Sequence, residues 1–449
     1  MTTIGTTGGS IDPTSMAAQL VAAERAPTDA RYTATATKIS SQVSAVSTLR
    51  SAFSALNSAI SALTSKTTTD ARSVTLSSST NFSATATAGT AQGSYSVEVI
   101  SLATAQKLSS TGFDARDSVI GTGNLSIQFG DTTLSVDIAS PNNTLVAIRD
   151  AINAAAGGKG VAASIVTGDD GAHLVMTSLG AGTANAITVT ASGGDGGLSA
   201  LNYGNGGTGG MAELVAASDA QIKVDGVLRT SSSNTVTNLV DGVTFNLTAA
   251  SPGTTTQMTV ATDTTAQLTA VKSFVEKYNA ALSAMNTTTS YNSTTQVAAA
   301  LNGDSMVRGT SRQLRDLIGN NVVDLKAMGI TIAKDGVLTL SDSAFTTAMA
   351  KDSSALTRVF GSGTDTMVSG MSTVLKGLTT SGGLLDSRSD SLSAQTRKLD
   401  AQKDALNVRM AAAEARYKAQ FTALDTLMTQ LQSTSDFLTQ QLAKSSSND

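Results

Sequence analysis

Residues 410–442 read MAAAEARYKAQFTALDTLMTQLQSTSDFLTQQL, and the spacing within them decides the fold. Apolar or aromatic side chains fall at Met410, Tyr417, Phe421, Leu424, Met428, Leu431, Leu438 and Leu442, in steps of 7, 4, 3, 4, 3, 7 and 4. That is a heptad stripe, with Glu414 and Ser435 in its two polar positions. A helix over 399–442 runs roughly 65 Å at 1.5 Å per residue. The stripe is narrow, and small polar residues occupy the opposite face. A narrow stripe calls for one or two partner helices rather than a broad core.

The other end of the chain supplies a partner. Ile39, Val43, Val46, Phe53, Leu56, Ile60 and Leu63 repeat in steps of 4, 3, 7, 3, 4 and 3. Nothing over 38–64 breaks a helix. Upstream, Ile11, Met16 and Leu20 begin a weaker pattern, which Pro27 is expected to interrupt. Pairing the two helices buries both seams at ~25 cal/mol per Å² of apolar area, and closes the fold end to end.

Between the helices the period drops to two. Tyr95, Val97 and Val99 alternate with serines and Glu98. Leu125, Ile127 and Phe129 precede Gly130-Asp131, and Leu134, Val136 and Ile138 follow, as in a β-hairpin. Asn142-Asn143-Thr144 offers caps for a short helix carrying Leu145, Ile148 and Ile152. A second hairpin reads as Val161–Val166 and Leu174–Thr177 about a turn at Gly168–Gly171, and Ile187 with Val189 gives another strand. Residues 193–210, rich in glycine, read as a flexible loop. Strands resume at Ile222–Val224 before a tight Asp225-Gly226 turn. Val243, Phe245 and Leu247 then alternate, as do Met258 and Val260 beyond Pro252-Gly253.

Helical period returns at Asp263. Leu268, Val271, Val275, Tyr278, Leu282 and Met285 share one face, and further helices are expected around 296–319, 342–360 and 364–380. One short hairpin interrupts them: Ile330 and Ile332, a turn at Asp335-Gly336, then Leu338 and Leu340. The expected class is α+β and multidomain. The terminal helices pair as a coiled-coil-like stalk, and two nested antiparallel β-rich domains lie between them. The expected borders are 1–42 with 405–449 for the paired ends, and 43–70 with 264–404 for a helical bundle. An inner β-domain takes 71–113 with 214–263, and an outer β/α domain takes 114–213.

Composition narrows the function. The chain has 449 residues, room for about three domains. Hydrophobic residues make up 40% and charged residues 14%, and net charge is −4 with 30 Lys+Arg. No basic footprint for nucleic acid is present. No apolar run approaches the ~18 residues of a membrane span. Cysteine is absent, which excludes disulfides and thiolate metal sites. The opening MTTIGTTGGSIDP lacks the basic and apolar regions of a cleaved signal peptide. Composition leaves open an ordinary cytosolic protein and one exported without such a signal.

Chemistry is sparse. The one histidine, His173, flanks a strand and reads as solvated or packed, because acid–base catalysis needs placed partners. Ala156-Gly157-Gly158-Lys159 follows a helix and reads as a helix stop, not a phosphate loop. The acidic residues lack EF-hand spacing. No cofactor, metal ligand set or catalytic residue is expected. Charges of alternating sign from Arg388 to Lys418 read as a solvated helix face with i,i+4 support, ahead of a specific docking surface.

Several stretches, taken in order, resemble the flagellar filament capping proteins of the hook-associated protein 2 family. They are Gln19–Pro27 (QLVAAERAP), Gly93–Ala103 (GSYSVEVISLA) with Ala105-Gln106-Lys107, and Asp225-Gly226-Val227 with Ser233–Val236. Leu239–Leu247 (LVDGVTFNL), the block Gly329–Phe360 and the end Gln420–Leu442 complete them. Residues 143–190 resemble the family's flagellin hook-type β/α motif. Family members often begin with Gly-Ser-Gly-Leu-Asp; Thr6–Pro13 stands in that place here.

The resemblance implies a structural protein, not an enzyme, at the distal tip of the filament. It implies a homo-oligomer of about four to six copies, with a plate of β-domains and helical legs that dock on the filament. It further implies retention and folding of exported flagellin, export of the chain itself through the flagellar type III apparatus, and a cytoplasmic chaperone. The leg residues expected to contact partners are Ile11, Met16, Leu20, Phe421, Leu424, Met428, Leu431, Leu438 and Leu442. Other readings are a hook–filament junction protein, flagellin, or a surface adhesin. A seam left open in a free monomer also predicts terminal helices that order only on assembly.

Overall fold

The computed structural model describes residues 12–204, 210–361, 363 and 366–445. The chain divides into two compact units, Met1–Thr64 with Leu268–Asp449, and Ser65–Gln267. The mixed class expected from the periodicities is the one adopted, with long terminal helices and antiparallel sheets between them in the chain.

The N-terminal helix spans Pro13–Leu63. Asp12 caps it by accepting from the Thr14 amide, and Pro13 sits where no backbone donor is needed. The expected seam is buried from Ile39 to Leu63 with two changes. Val43 is exposed, and Leu49, which the expected steps pass over, is fully buried. The helix also runs straight through Pro27, against expectation. Pro27 and Ala23 are both exposed, so the carbonyl that loses its partner can turn to water. Packing on either side then holds the helix. Pro27→Ala is expected to stabilise this unit by up to about 3 kcal/mol, seen as a higher thermal midpoint; a lower midpoint would mean that the proline fixes the fold.

The C-terminal helix, Leu384–Ser445, lies antiparallel to the first. Arg50 pairs with Asp386, the Arg25 guanidinium donates to Asn407 at 3.1 Å, and the Tyr417 hydroxyl donates to Glu24 at 3.2 Å. Its buried residues are Leu385, Leu392, Leu399, Leu406 and Ala413, one per heptad. The seam therefore passes through Ala413 and not through Glu414, which is exposed. Steps of four from Ala413 to Tyr417 and on to Phe421 then shift the seam to the phase of the quoted stripe, a local stutter.

The rest of this unit packs around Phe274, Tyr278, Phe345 and Phe360. Phe274 meets Phe360 edge-on, with ring centroids 5.4 Å apart. The hairpin Ile330–Ile332 with Leu338–Leu340 forms as expected. The helix expected over 296–319 begins only at Ser305, because Asp304 caps the Met306 and Val307 amides. Ahead of it Tyr291-Asn292 pairs with Val297-Ala298 in a second hairpin, whose turn the Asn292 side chain caps. The helix expected over 342–360 is two, Asp342–Lys351 and Ala355–Phe360. Asp352 ends the first by accepting from the Ser354 amide and hydroxyl and from Arg358.

The Ser65–Gln267 unit holds two separate cores. In one, a five-stranded sheet and a three-stranded sheet share their apolar faces. The five strands run in the order Arg72–Leu76, Thr256–Thr262, Gly93–Ser101, Ala220–Val224, Val227–Ser231; the three are Thr235–Thr237, Val243–Leu247 and Phe82–Ala86. The Asp225-Gly226 turn has φ of 48° and 85°, the geometry of a tight type I′ hairpin. The second core lies among the helix Leu145–Ala156, capped by Thr144, and two further sheets. Leu125 pairs with Val136 and Ile127 with Leu134, as the alternation predicts.

The expected loop over 193–210 is largely folded instead. Gly197–Leu201 forms a 3₁₀ turn that buries Leu198 and Leu201, and Tyr203 bridges to Val189. Asp195 accepts from the Thr122 and Gly197 amides. The glycines permit close approach: a Cβ on Gly194 would lie 1.8 Å from the Thr122 carbonyl oxygen. Residues 205–209 of that segment lie outside the described residues.

Candidate assembly surface

The expected leg residues occupy one end of the helical pair, at the start of the N-terminal helix and the end of the C-terminal one. Ile11 lies outside the described residues. Met16 and Leu20 are exposed, while Ala17 and Val21, one position further on, take the buried seam. The face is set by helical register, and small Ala17 fits where the helices approach. Phe421 is half-buried. Leu424, Met428, Leu431, Leu438 and Leu442 are between 44% and 69% exposed.

Two further residues, Leu427 and Phe437, are exposed beside them. The narrow stripe of the sequence reading missed both. Leu424, Leu427, Met428 and Leu431 follow the i, i+3, i+4, i+7 spacing of a broader face, which was the available signal. The described N-terminal helix starts at Pro13, about three turns before Glu24, which meets Tyr417, so it ends well short of Leu438 and Leu442. Monomeric proteins rarely leave contiguous apolar patches of more than a few hundred Å² in water, and larger ones mark interaction sites.

The charged stretch from Arg388 to Lys418 does not form the expected i,i+4 ladder. Arg388 reaches Asp304 at 3.6 Å, and none of the other charges there forms an ion pair among the described residues. Long side chains on a solvated face gain little from such pairs.

His173 is a packed residue, as one of the two readings held. Its Nδ1 lies 2.9 Å from the Ser110 carbonyl oxygen, and its Nε2 lies 2.9 Å from Asp170 Oδ1. Both partners are acceptors, so both ring nitrogens donate only in the imidazolium. The Ser110 carbonyl first, then Asp170, hold the imidazole above its ordinary value, and His173 holds the Asp170 carboxyl below its own. A raised histidine contributes stability below its unfolded value, lost as pH rises through the folded one. A depressed carboxylate contributes above its unfolded value, lost on acidification. The clasp is therefore strongest from mildly acidic to near-neutral pH. The sole histidine is expected to titrate above 6.5, and Asp170→Asn to lower its midpoint, by NMR; an unchanged midpoint would refute the clasp.

Nothing in the described residues resembles a reaction centre. One hollow of about 570 Å³ is an open depression lined by Arg50, Ser51, Ser54, Ala55, Ser58 and Thr379, and its arginine is engaged by Asp386. Among the described residues no three His, Cys, Asp or Glu side chains are grouped to hold a metal, and no helix is long and apolar enough to cross a membrane.

Comparison with known proteins bears on this surface. Family models for the N-terminus and C-terminus of flagellar hook-associated protein 2 match residues 9–106 and 217–433, and the flagellin hook IN motif matches 124–180. The chain is 34% identical to flagellar hook-associated protein 2 of Escherichia coli K12 over 396 residues, covering 83% of this chain and 84% of that one. It is 34% identical over 306 residues to the B-type flagellar hook-associated protein 2 of Pseudomonas aeruginosa, covering 63% of this chain and 64% of the relative, slightly under two thirds of its length. The D1-D2-D3 domains of the flagellar cap protein FliD from Escherichia coli superpose with a TM-score of 0.68 at 33% identity, covering 78% of this chain and 99% of that one.

Proposed function

The chain belongs to the flagellar hook-associated protein 2 family, and from that membership we propose that it caps the distal end of the flagellar filament as a structural, non-enzymatic assembly factor. The observation that carries this reading is the exposed apolar end of the C-terminal helix, from Leu424 to Leu438. That surface suits a leg which grips and releases successive sites on a polymer. In this reading about four to six copies assemble into a closed ring, their β-domains forming a plate over emerging flagellin. Met16, Leu20, Phe421, Leu424, Met428, Leu431, Leu438 and Leu442, with Ile11, contact the filament or a neighbouring leg.

The chain itself leaves the cell through the flagellar type III export apparatus, escorted by a cytoplasmic chaperone. A division into leg (1–42, 405–449), bundle (43–70, 264–404), inner β-domain (71–113, 214–263) and outer domain (114–213) is part of the proposal. Separate hydrophobic clusters centred on the bundle, the inner and the outer domain support the separation of those three parts. A strain lacking the protein decides the matter. Flagellin monomers in the medium and no filaments are expected. Normal filaments would rule out a cap and favour an adhesin.

A further inference from the structure

Sulfur is distributed unevenly over this chain. Cysteine is absent, so methionine thioethers are its only sulfur. The chain has 13 methionines, and all but Met1 fall among the described residues. Eight of those are buried in the cores, and Met306 and Met410 are half-buried. The remaining two, Met16 and Met428, are exposed, at 40% and 53%.

These two come from opposite ends of the chain and reach nearly the same level of the helical pair. Counted from the contact of Glu24 with Tyr417, Met16 lies about 12 Å further along its helix, and Met428 about 16 Å further along the antiparallel one. Both stand among exposed apolar side chains. Met16 is one turn from Leu20, and Met428 is one turn from Leu424 and from Leu431. Methionine differs from those leucines in carrying a flexible, polarisable thioether, and a thioether in water is open to oxidation.

We propose that Met16 and Met428 form an oxidant-sensitive pair of modification sites, at which conversion of thioether to sulfoxide weakens the grip of this end of the helical pair. The oxidant is hydrogen peroxide or an organic hydroperoxide. The sulfur lone pair attacks one peroxide oxygen, and the S–O bond forms as the O–O bond breaks. The departing hydroxide or alkoxide takes the proton from the transferred oxygen and leaves as water or alcohol. Sulfur is oxidised by two electrons and the peroxide is reduced by two. The sulfoxide is polar, and carrying it into an apolar contact without a donor lowers affinity by about tenfold or more for each group. In the free chain both side chains already face water, so the fold is untouched. The inference rests on the docking role given above to this end, and names a chemistry that controls it. A leg that releases between sites returns both sulfurs to water, where the oxidant reaches them.

The sites are tested on the full-length protein, treated with graded hydrogen peroxide, digested and mapped by mass spectrometry. One added oxygen is expected on Met16 and on Met428 at about a tenth of the dose that modifies the eight buried methionines. The thermal midpoint is expected to stay unchanged, and methionine sulfoxide reductases of both epimer specificities to reverse the modification. Buried methionines oxidised at the same dose would overturn the pair. The consequence is tested by filament growth in a complemented deletion strain, with each variant compared with its own untreated growth. Wild type is expected to lose growth about tenfold in peroxide, and Met16→Leu/Met428→Leu to lose much less. Met428→Gln, which puts a polar amide in the stripe, is expected to slow growth with no oxidant present. Equal losses in wild type and the leucine variant would overturn the control of docking, and so would full growth of both peroxide-treated wild type and Met428→Gln. The oxygen map does not depend on capping, and the untreated deletion strain judges the cap reading by itself, so the two failures are told apart.

Discussion

With Leu424 and Leu431 both replaced by aspartate, the chain is expected to fold as before while filament growth stops. Both side chains are exposed in the isolated chain, so their loss removes few native contacts. Exposed helix positions of this kind change stability by about 0.5 kcal/mol or less. On a docked leg the balance reverses. Each buried leucine contributes about 1.5–3 kcal/mol, and a carboxylate carried into an apolar seam adds a desolvation cost of several kcal/mol. Two such changes lower affinity by well over a hundredfold at about 1.4 kcal/mol per factor of ten. The readouts are circular dichroism and thermal midpoint for the fold, and filament length by electron microscopy in a complemented deletion strain. Ser433→Asp, also exposed on this helix, is the control and is expected to be silent. Wild-type filaments from the double variant would remove the C-terminal stripe from the docking surface.

The same stripe shows what the sequence could reveal and what it could not. Its period announced a long helix, because a repeat of seven survives any tertiary context. Its partner was harder to place. The half of the C-terminal helix that packs on the N-terminal helix carries only Leu385, Leu392, Leu399 and Leu406, with Ala413, on its buried face. One leucine per heptad is a weak signal in a charged stretch, and alanine is silent in a hydrophobic pattern. The exposed half has the richer pattern and looked like the paired half. Burial depends on what lies opposite, and a period does not record that.

Departures elsewhere have local causes. Gly-rich residues 193–204 looked unstructured because glycine usually signals freedom. Here it admits backbone against backbone, and Leu198 and Leu201 anchor the turn in the core. Pro27 looked like a stop because isolated helices do stop there, but tertiary packing on both sides outweighs the lost bond. Asp304 and Asp352 set helix limits through side-chain hydrogen bonds, a signal that was present in the sequence as capping residues and went unread. The registers of the expected hairpins were legible, since a slip of one residue would turn every apolar side chain outward, whereas the short exposed hairpin of Tyr291-Asn292 with Val297-Ala298 has no buried face to announce it.

Phe274→Ala is expected to have the largest effect on stability, confined to one of the two units. Phe274 is fully buried, edge-on to Phe360 at 5.4 Å and tilted against Tyr278 at 6.3 Å. Truncating such a ring costs about 3–5 kcal/mol, part in lost transfer energy and part in the cavity left behind. Domains of ordinary stability have only about 5–15 kcal/mol in all, so about a fifth or more is at stake. The aromatic ring belongs to the core built from both chain ends, and none of the β-unit's core residues belongs to that cluster. Unfolding in urea is therefore expected to show an early transition for the helical unit and an unmoved one for Ser65–Gln267. A single transition shifted as a whole would mean that the two units fold as one, and a shift of under about 1 kcal/mol would mean that the core relaxes around the hole. Phe437→Ala removes the same ring from an exposed position of the C-terminal helix. It is expected to leave both transitions where they are, because the ring that packs in the core holds the unit together and a ring already in water adds little to the fold.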